Sequence, residues 1–206
     1  ILFFRIIDLD EAFDIDAQDI NPLSEEIVLS VKNNIEMDFE DLQLNFKSKF
    51  FTVEKIISID AKETKKITIP LNREDFKDEY AGYSTLETRV TYGQLTKVID
   101  SKIYFSEADL LERKEDDFGF VIKTTKIIKT NTGNVAIKSP TEIKKDIISR
   151  LFTSFNPSPD LVERQGLFVY YVWEQSIPPG QEFVITVKTN WILPLILIIL
   201  TIVAII

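Results

Sequence analysis

The sequence contains no cysteine, no histidine and only 6 glycines in 206 residues. Without cysteine there are no disulfides and no thiolate metal ligands. Without histidine the commonest general base and metal ligand is missing. Together these absences exclude Ser-His-Asp and Cys-His catalysis and tetrahedral zinc centres within the chain. The lack of disulfides leaves an extracellular position open, because larger domains stand without such staples. No Asn-x-Ser/Thr acceptor exists either. Asn156-Pro157-Ser158 is spoiled by its proline, and Asn131-Thr132-Gly133 fails at the third position, so standard N-glycosylation is not expected. A basic excess is also lacking. The net charge of −9 disfavours nucleic acid as a partner, since phosphate contacts need a basic surface.

What is present begins with acid. Residues 1–40 hold 11 acidic side chains opposed only by Arg5 and Lys32, while the remainder is balanced. Asp8, Asp10, Glu11, Asp14 and Asp16 supply the hard oxygens that calcium takes. They lack a D-x-D-x-D-G loop, however, and carboxylates at i and i+2 of a strand share one face without wrapping an ion. The plainer reading is a solvated or partner-facing acidic surface. Glu115-Asp116-Asp117 is a lesser acidic run of the same kind. No other cofactor and no catalytic residue is expected, because no carboxylate pair is marked out for hydrolysis and no motif names a reaction. Tyr80, Tyr83, Tyr170 and Trp173 offer rings for sugar stacking, but on strands such rings usually pack in the core.

Alternation of apolar and polar residues dominates the chain. Phe13, Ile15 and Ala17 oppose Asp14 and Asp16; Ile27, Leu29 and Val31 follow; then Leu42, Leu44 and Phe46; then Ile67, Ile69 and Leu71. Period two over short runs means half-buried strands. Leu86, Thr88, Val90 and Tyr92 run into Gly93-Gln94, a hairpin turn. The charge-rich stretch 106–117 reads as a solvated linker or short helix. Strands resume at 118–130 and end at Asn131-Thr132-Gly133-Asn134. Ile143, Ile147, Ile148 and Leu151 stand at helical spacing and predict a short helix near 141–152. Residues 167–173 are apolar on both faces, as a central strand is, and Phe183, Ile185 and Val187 alternate again. The expected fold is all-β: two antiparallel immunoglobulin-like β-sandwich modules in tandem, at 12–107 and 108–190, after an N-terminal strand or processed segment at 1–11.

The chain ends in residues 191–206, WILPLILIILTIVAII, sixteen positions without a charge. At ~1.5 Å per residue this run reaches about 24 Å, against a hydrocarbon core of roughly 30 Å. A buried core element is the competing reading, but the run has no polar face. Asn190 is placed to cap a helix, Trp191 suits the membrane interface, and Pro194 falls where a missing N–H costs least. The expectation is one C-terminal transmembrane helix, with Trp191, Pro194, Leu195, Ile198 and Ile202 among its anchoring residues. The start at Ile1 and the unbroken apolar end lead us to expect a fragment or processed form.

Strand-end and turn residues carry a resemblance. Lys32-Asn33, Ala61-Lys62-Glu63-Thr64-Lys65 and the run GYSTL at 82–86 resemble the CARDB-like, immunoglobulin-like repeats of archaeal cell-surface proteins. Asn131-Thr132-Gly133-Asn134, Trp173, Pro178-Pro179-Gly180-Gln181-Glu182 and Thr189-Asn190-Trp191 are similar to sandwich modules next to the C-terminal anchors of archaeal surface and S-layer-related proteins. The resemblance covers roughly 12–206 and departs at Asn33-Asn34, where such repeats carry Asn-Thr-Gly. It implies an exported, tethered protein of structural or adhesive duty and implies no catalytic residues. The functional expectation is therefore a non-enzymatic, membrane-anchored surface protein, single-pass, with its sandwiches extracellular and its partners a lipid bilayer and other surface or membrane proteins. The alternatives are an accessory subunit of a secretion or transport complex and a carbohydrate-binding module.

Overall fold

A computed structural model describes residues 8–205. Residues 1–7 of the expected N-terminal strand or processed segment lie outside the described residues. The described chain forms two compact units. Unit 1 holds residues 8–108 together with Gly133–Val135, and unit 2 holds Asp109–Thr132 and residues 136–205.

Unit 1 opens with a single helical turn, α1 (Leu9–Ala12), followed by β1 (Phe13–Ala17), β2 (Glu26–Asn33), β3 (Phe39–Lys47), β4 (Thr52–Ile59), β5 (Thr64–Pro70), β6 (Gly82–Tyr92) and β7 (Leu95–Phe105). One sheet has the order β1-β2-β5, the other β4-β3-β6-β7. The period-two pattern places Ile27, Leu29 and Val31 of the first sheet and Leu42, Leu44 and Phe46 of the second in one buried cluster. Phe50, Phe76 and Phe105 close it with mutual ring contacts at 5.2–5.9 Å. The first, second and fifth strands thus separate from the third, sixth and seventh, which is the strand division of immunoglobulin-like sandwiches. The β6–β7 hairpin turns on Gly93-Gln94, with Tyr92 opposite Leu95 and Gly93 at φ +57°, the first-position glycine that a tight hairpin favours.

Unit 2 contains β8 (Leu111–Phe118), β9 (Ile122–Asn131), β10 (Ile137–Lys138), β11 (Thr141–Asp146), β12 (Thr153–Asn156), β13 (Leu161–Gln165), β14 (Phe168–Trp173), β15 (Ser176–Ile177), β16 (Glu182–Asn190) and the helix α2 (Ile192–Ile205). Its sheets are β12-β16-β9-β8 and β11-β14-β13, with β10 and β15 paired separately. Ile127, Val169, Tyr171, Trp173, Ile185 and Val187 form the core between the sheets. Here the last strand, β16, lies beside the second, where an immunoglobulin-like order has the fifth. Unit 2 is an antiparallel sandwich of a different strand order.

Three expectations need correction. The helix near 141–152 is instead β11 followed by a 3₁₀ turn at Ser149–Phe152. Pairing with β14 along all six residues of β11 overrides the helical spacing of the isoleucines. The Asp146 side chain then accepts the N–H groups of Ile148 and Ser149 and stops the strand. Residues 111–117 of the stretch 106–117 expected as a linker belong to β8, an edge strand that among the described residues pairs only with β9. Charge on both faces hid it from a pattern test, and charge is what keeps an edge from pairing with other chains. Finally, α2 forms but spans 14 residues, about 21 Å at ~1.5 Å each. Among the described residues no helix is long and apolar enough to cross a membrane.

Candidate functional site

The sequence-predicted anchor residues gather on α2. Asn190 caps it: its Oδ1 accepts the Ile192 N–H at 3.0 Å. Pro194 is the third helical residue, one of the first four positions where an N–H has no partner within the helix, so the N–H that proline lacks is not missed. Leu195, Ile198 and Ile202 are all exposed, and so are the aliphatic side chains on every other face of α2. The helix carries one polar side chain, Thr201, whose hydroxyl donates to the Leu197 carbonyl at 2.8 Å. A helix apolar all round is normally a buried one. No described α2 residue is buried, so its apolar surface has no cover among the described residues. Trp191 is half-buried at the base, its ring 6.1 Å from Phe152 and its N–H bonded to the Val121 carbonyl at 2.9 Å.

The N-terminal carboxylates are distributed differently. Asp14 and Asp16 point outward from β1. Asp8 and Asp10 flank one cation, the Lys97 ammonium, at 2.9 and 3.9 Å. The hydrogen bond from Lys97 holds the Asp8 carboxyl below its ordinary range. Lys97 is raised in return, through Asp8 first. Glu11 is exposed in α1. Among the described residues no three acidic side chains are grouped to hold a metal ion. Asp116 and Asp117 of the second acidic run meet Lys114 at 3.0 Å and Lys123 at 3.1 Å, and Glu115 meets Arg113 at 3.1 Å. A Thr125 hydroxyl also bonds Asp117 and is the main cause of its lowered pKa. The Arg113–Glu115 and Lys123–Asp117 pairs line a cleft of about 320 Å³ in unit 2 with Glu142 and Lys145.

Of the candidate sugar-stacking rings, Trp173 is fully buried, its Nε1–H donating to the Pro157 carbonyl at 3.1 Å. It packs on Phe155, which also stacks on Tyr171 at 4.2 Å. Tyr170 is half-buried, with Lys144 near its ring. Tyr83 and Tyr80 are exposed; Tyr83 lies 4.9 Å from Tyr104, with Lys102 over its outer ring.

One chemically informative residue escaped the sequence reading. Lys129 is buried on β9, and its ammonium donates to the Ser139 carbonyl, the Ser139 Oγ and the Pro140 carbonyl at 2.8–3.2 Å. Burial pushes its pKa down, assisted by Arg113. Its acceptors are neutral, so the lysine acts as a strut beneath the turn that lines a cavity of about 340 Å³ with Lys138, Glu174, Gln175 and Ser176. The signal for it existed: Ile127, Lys129 and Asn131 share the inward phase of one strand.

No family model matches the chain, and no curated protein matches it. Solved structures that align with it include red sea bream transglutaminase, at 12% identity and TM-score 0.36 over 90% of this chain and 27% of that one. The chain thus spans about a quarter of that protein's length, and a likeness this loose carries no argument about activity.

Proposed function

We propose that the protein is a non-enzymatic, membrane-anchored cell-surface protein of structural or adhesive duty, of the archaeal, S-layer-related kind that its turn residues resemble. The observation that carries this reading is α2: an all-apolar helix with every side exposed and its one hydroxyl satisfied internally. Such a surface is stable in hydrocarbon, where each backbone and side-chain polar group must find its partner within the segment. In this reading α2 enters the bilayer, Trp191 sits at the interface, and the β-sandwich units stand outside the cell. They act by spacing and by binding other surface proteins. The outward carboxylates Asp14 and Asp16 of unit 1 serve as a partner-facing surface without a bound ion.

Vesicle flotation tests the anchor. The full chain is expected to float with neutral vesicles and to stay with them in high salt. The double variant Ile198→Lys and Ile202→Lys is expected to remain in the aqueous fraction, since each lysine costs about 2.5–3.5 kcal/mol at mid-bilayer. Equal flotation of the two proteins would sink the reading. A melting temperature unmoved by millimolar calcium is expected as well, because an ion held by the native state would raise it.

A further inference from the structure

We infer that unit 2 has a second membrane contact: a ring of apolar loop tips around the exit of α2, built to enter the interfacial layer of a lipid bilayer. The inference rests on the anchor reading and adds to it. Strand register brings the tips to one end. Asn190, the last residue of β16, lies opposite Ile122, so the β8–β9 turn stands beside the helix start. Thr153 lies opposite Thr189, which brings the preceding 3₁₀ turn to the same end. Asp146 lies opposite Phe168, and the Ile147 N–H bonds the Leu167 carbonyl, which adds the β13–β14 hairpin.

Each of these three connections carries a large apolar side chain in the open. Phe120 is 95% exposed on the first, Leu151 69% on the second and Leu167 72% on the third; Phe118 and Ile148 stand exposed beside them. Hairpin tips ordinarily carry polar turn residues. Here two of them pair a glycine in the left-handed region with an apolar neighbour: Gly119 at φ +84° before Phe120, and Gly166 at φ +62° before Leu167. The backbone is thus turned at the glycine while the next side chain is held outward.

The occupant follows from the geometry. The tips sit on three separate connections surrounding a helix that is apolar on every side, whereas a protein groove would engage one face of it. Exposed Arg150 and Arg164 stand next to the tips, where cationic side chains meet headgroups while their stems lie along apolar surface. A bilayer surface satisfies the helix, the tips and the basic residues together, as an interfacial segment does.

The natural absence of cysteine makes the test direct. Single spin labels are placed on the full chain through Phe120→Cys, Leu151→Cys, Leu167→Cys, Ile198→Cys and, as an aqueous reference, Ser176→Cys. The protein is reconstituted in phosphatidylcholine vesicles containing anionic lipid. The ratio of oxygen to water-soluble nickel-chelate accessibility is expected to rise several-fold at 120, 151 and 167 over position 176, and further at 198. A deep label at 198 with 120, 151 and 167 matching 176 would overturn the ring and leave the anchor standing. Aqueous values at 198 as well would overturn both. Labels at 120, 151 and 167 shielded from both reagents would mean a protein cover, and would overturn the lipid assignment.

Discussion

The Trp191 N–H donates to the Val121 carbonyl at 2.9 Å, which ties the residue before α2 to the turn between β8 and β9. The Trp191 ring meanwhile faces Phe152, on the connection between β11 and β12. The start of the helix is therefore pinned to two turns of the same sandwich end.

Gly119 is more sensitive to substitution than Gly166. Its φ is +84°, and a Cβ there would fall 2.1 Å from the Ile122 carbonyl oxygen. Gly119→Ala must both strain the backbone and displace β9, at a cost of roughly 2–4 kcal/mol. Gly166→Ala meets no atom within 4 Å and suffers only the strain of φ +62°, about 1 kcal/mol. Urea denaturation followed through the Trp173 environment should rank them in that order. Equal effects would mean that the contact with Ile122 is relieved at no cost.

Asn33 closes the β2 end of unit 1 with a side chain that is fully buried. Its amide donates to the Met37 and Asp60 carbonyls at 2.7 and 2.9 Å, and its Oδ1 accepts the Ile35 N–H at 3.1 Å. Asn33→Ala leaves those backbone groups without their partner and should destabilise unit 1 by about 2–3 kcal/mol. The neighbouring Asn34→Ala, which removes none of these bonds, should stay within about 0.5 kcal/mol. Chemical denaturation of the pair of variants gives the comparison.

The Asp8–Lys97 pair predicts a pH signature. The native Asp8 carboxyl is held below its ordinary 3.8. The stabilisation is therefore complete above that value and is lost as pH falls through the lowered native one. Lys97→Gln removes the main cause, so the Asp8 carboxyl carbon in an NMR titration should shift its midpoint upward toward 3.8. A midpoint that does not move would place the cause elsewhere.

Lys129 predicts the opposite limb. Its native pKa lies below the ordinary 10.5 because the ammonium is desolvated. Below the native value both states hold the proton, and the cost of burying the charge is present in full. Between the native value and 10.5 the unfolded chain binds more protons, so unit 2 should gain stability as pH rises. Lys145, lowered by burial as well, adds to the same slope. Lys129→Gln should flatten that rise in denaturation curves taken from neutral pH upward; an unchanged slope would assign it to other groups.

Much of this architecture was legible from period-two alternation alone, because β2, β3, β5, β6 and β16 each bury one face against a core. The failures have physical causes. Leu111–Phe118 is exposed nearly throughout, and a strand that buries neither face leaves no periodic signal. Ile143 of Thr141–Asp146 stands four residues before Ile147, a spacing that suits either period, and pairing with β14 decided it. The order of strands in unit 2, with β16 beside β9, is set by contacts remote in sequence, which no local pattern records. At the candidate site the apolar run, the Asn190 cap and Trp191 were all readable. The ring of tips was not, because Phe120, Leu151 and Leu167 converge only through the register of five strands and one 3₁₀ turn.

The central claim, that a bilayer holds unit 2 through α2, is tested most directly by the depth of Trp191. The chain has two tryptophans, and Trp173 is fully buried in the sandwich, so it supplies an unquenched baseline. In vesicles of lipids brominated at successive acyl positions, Trp191 emission is predicted to be quenched most by bromines nearest the headgroups, with Trp191→Phe abolishing the effect. Emission indifferent to bromine at every depth would contradict the account.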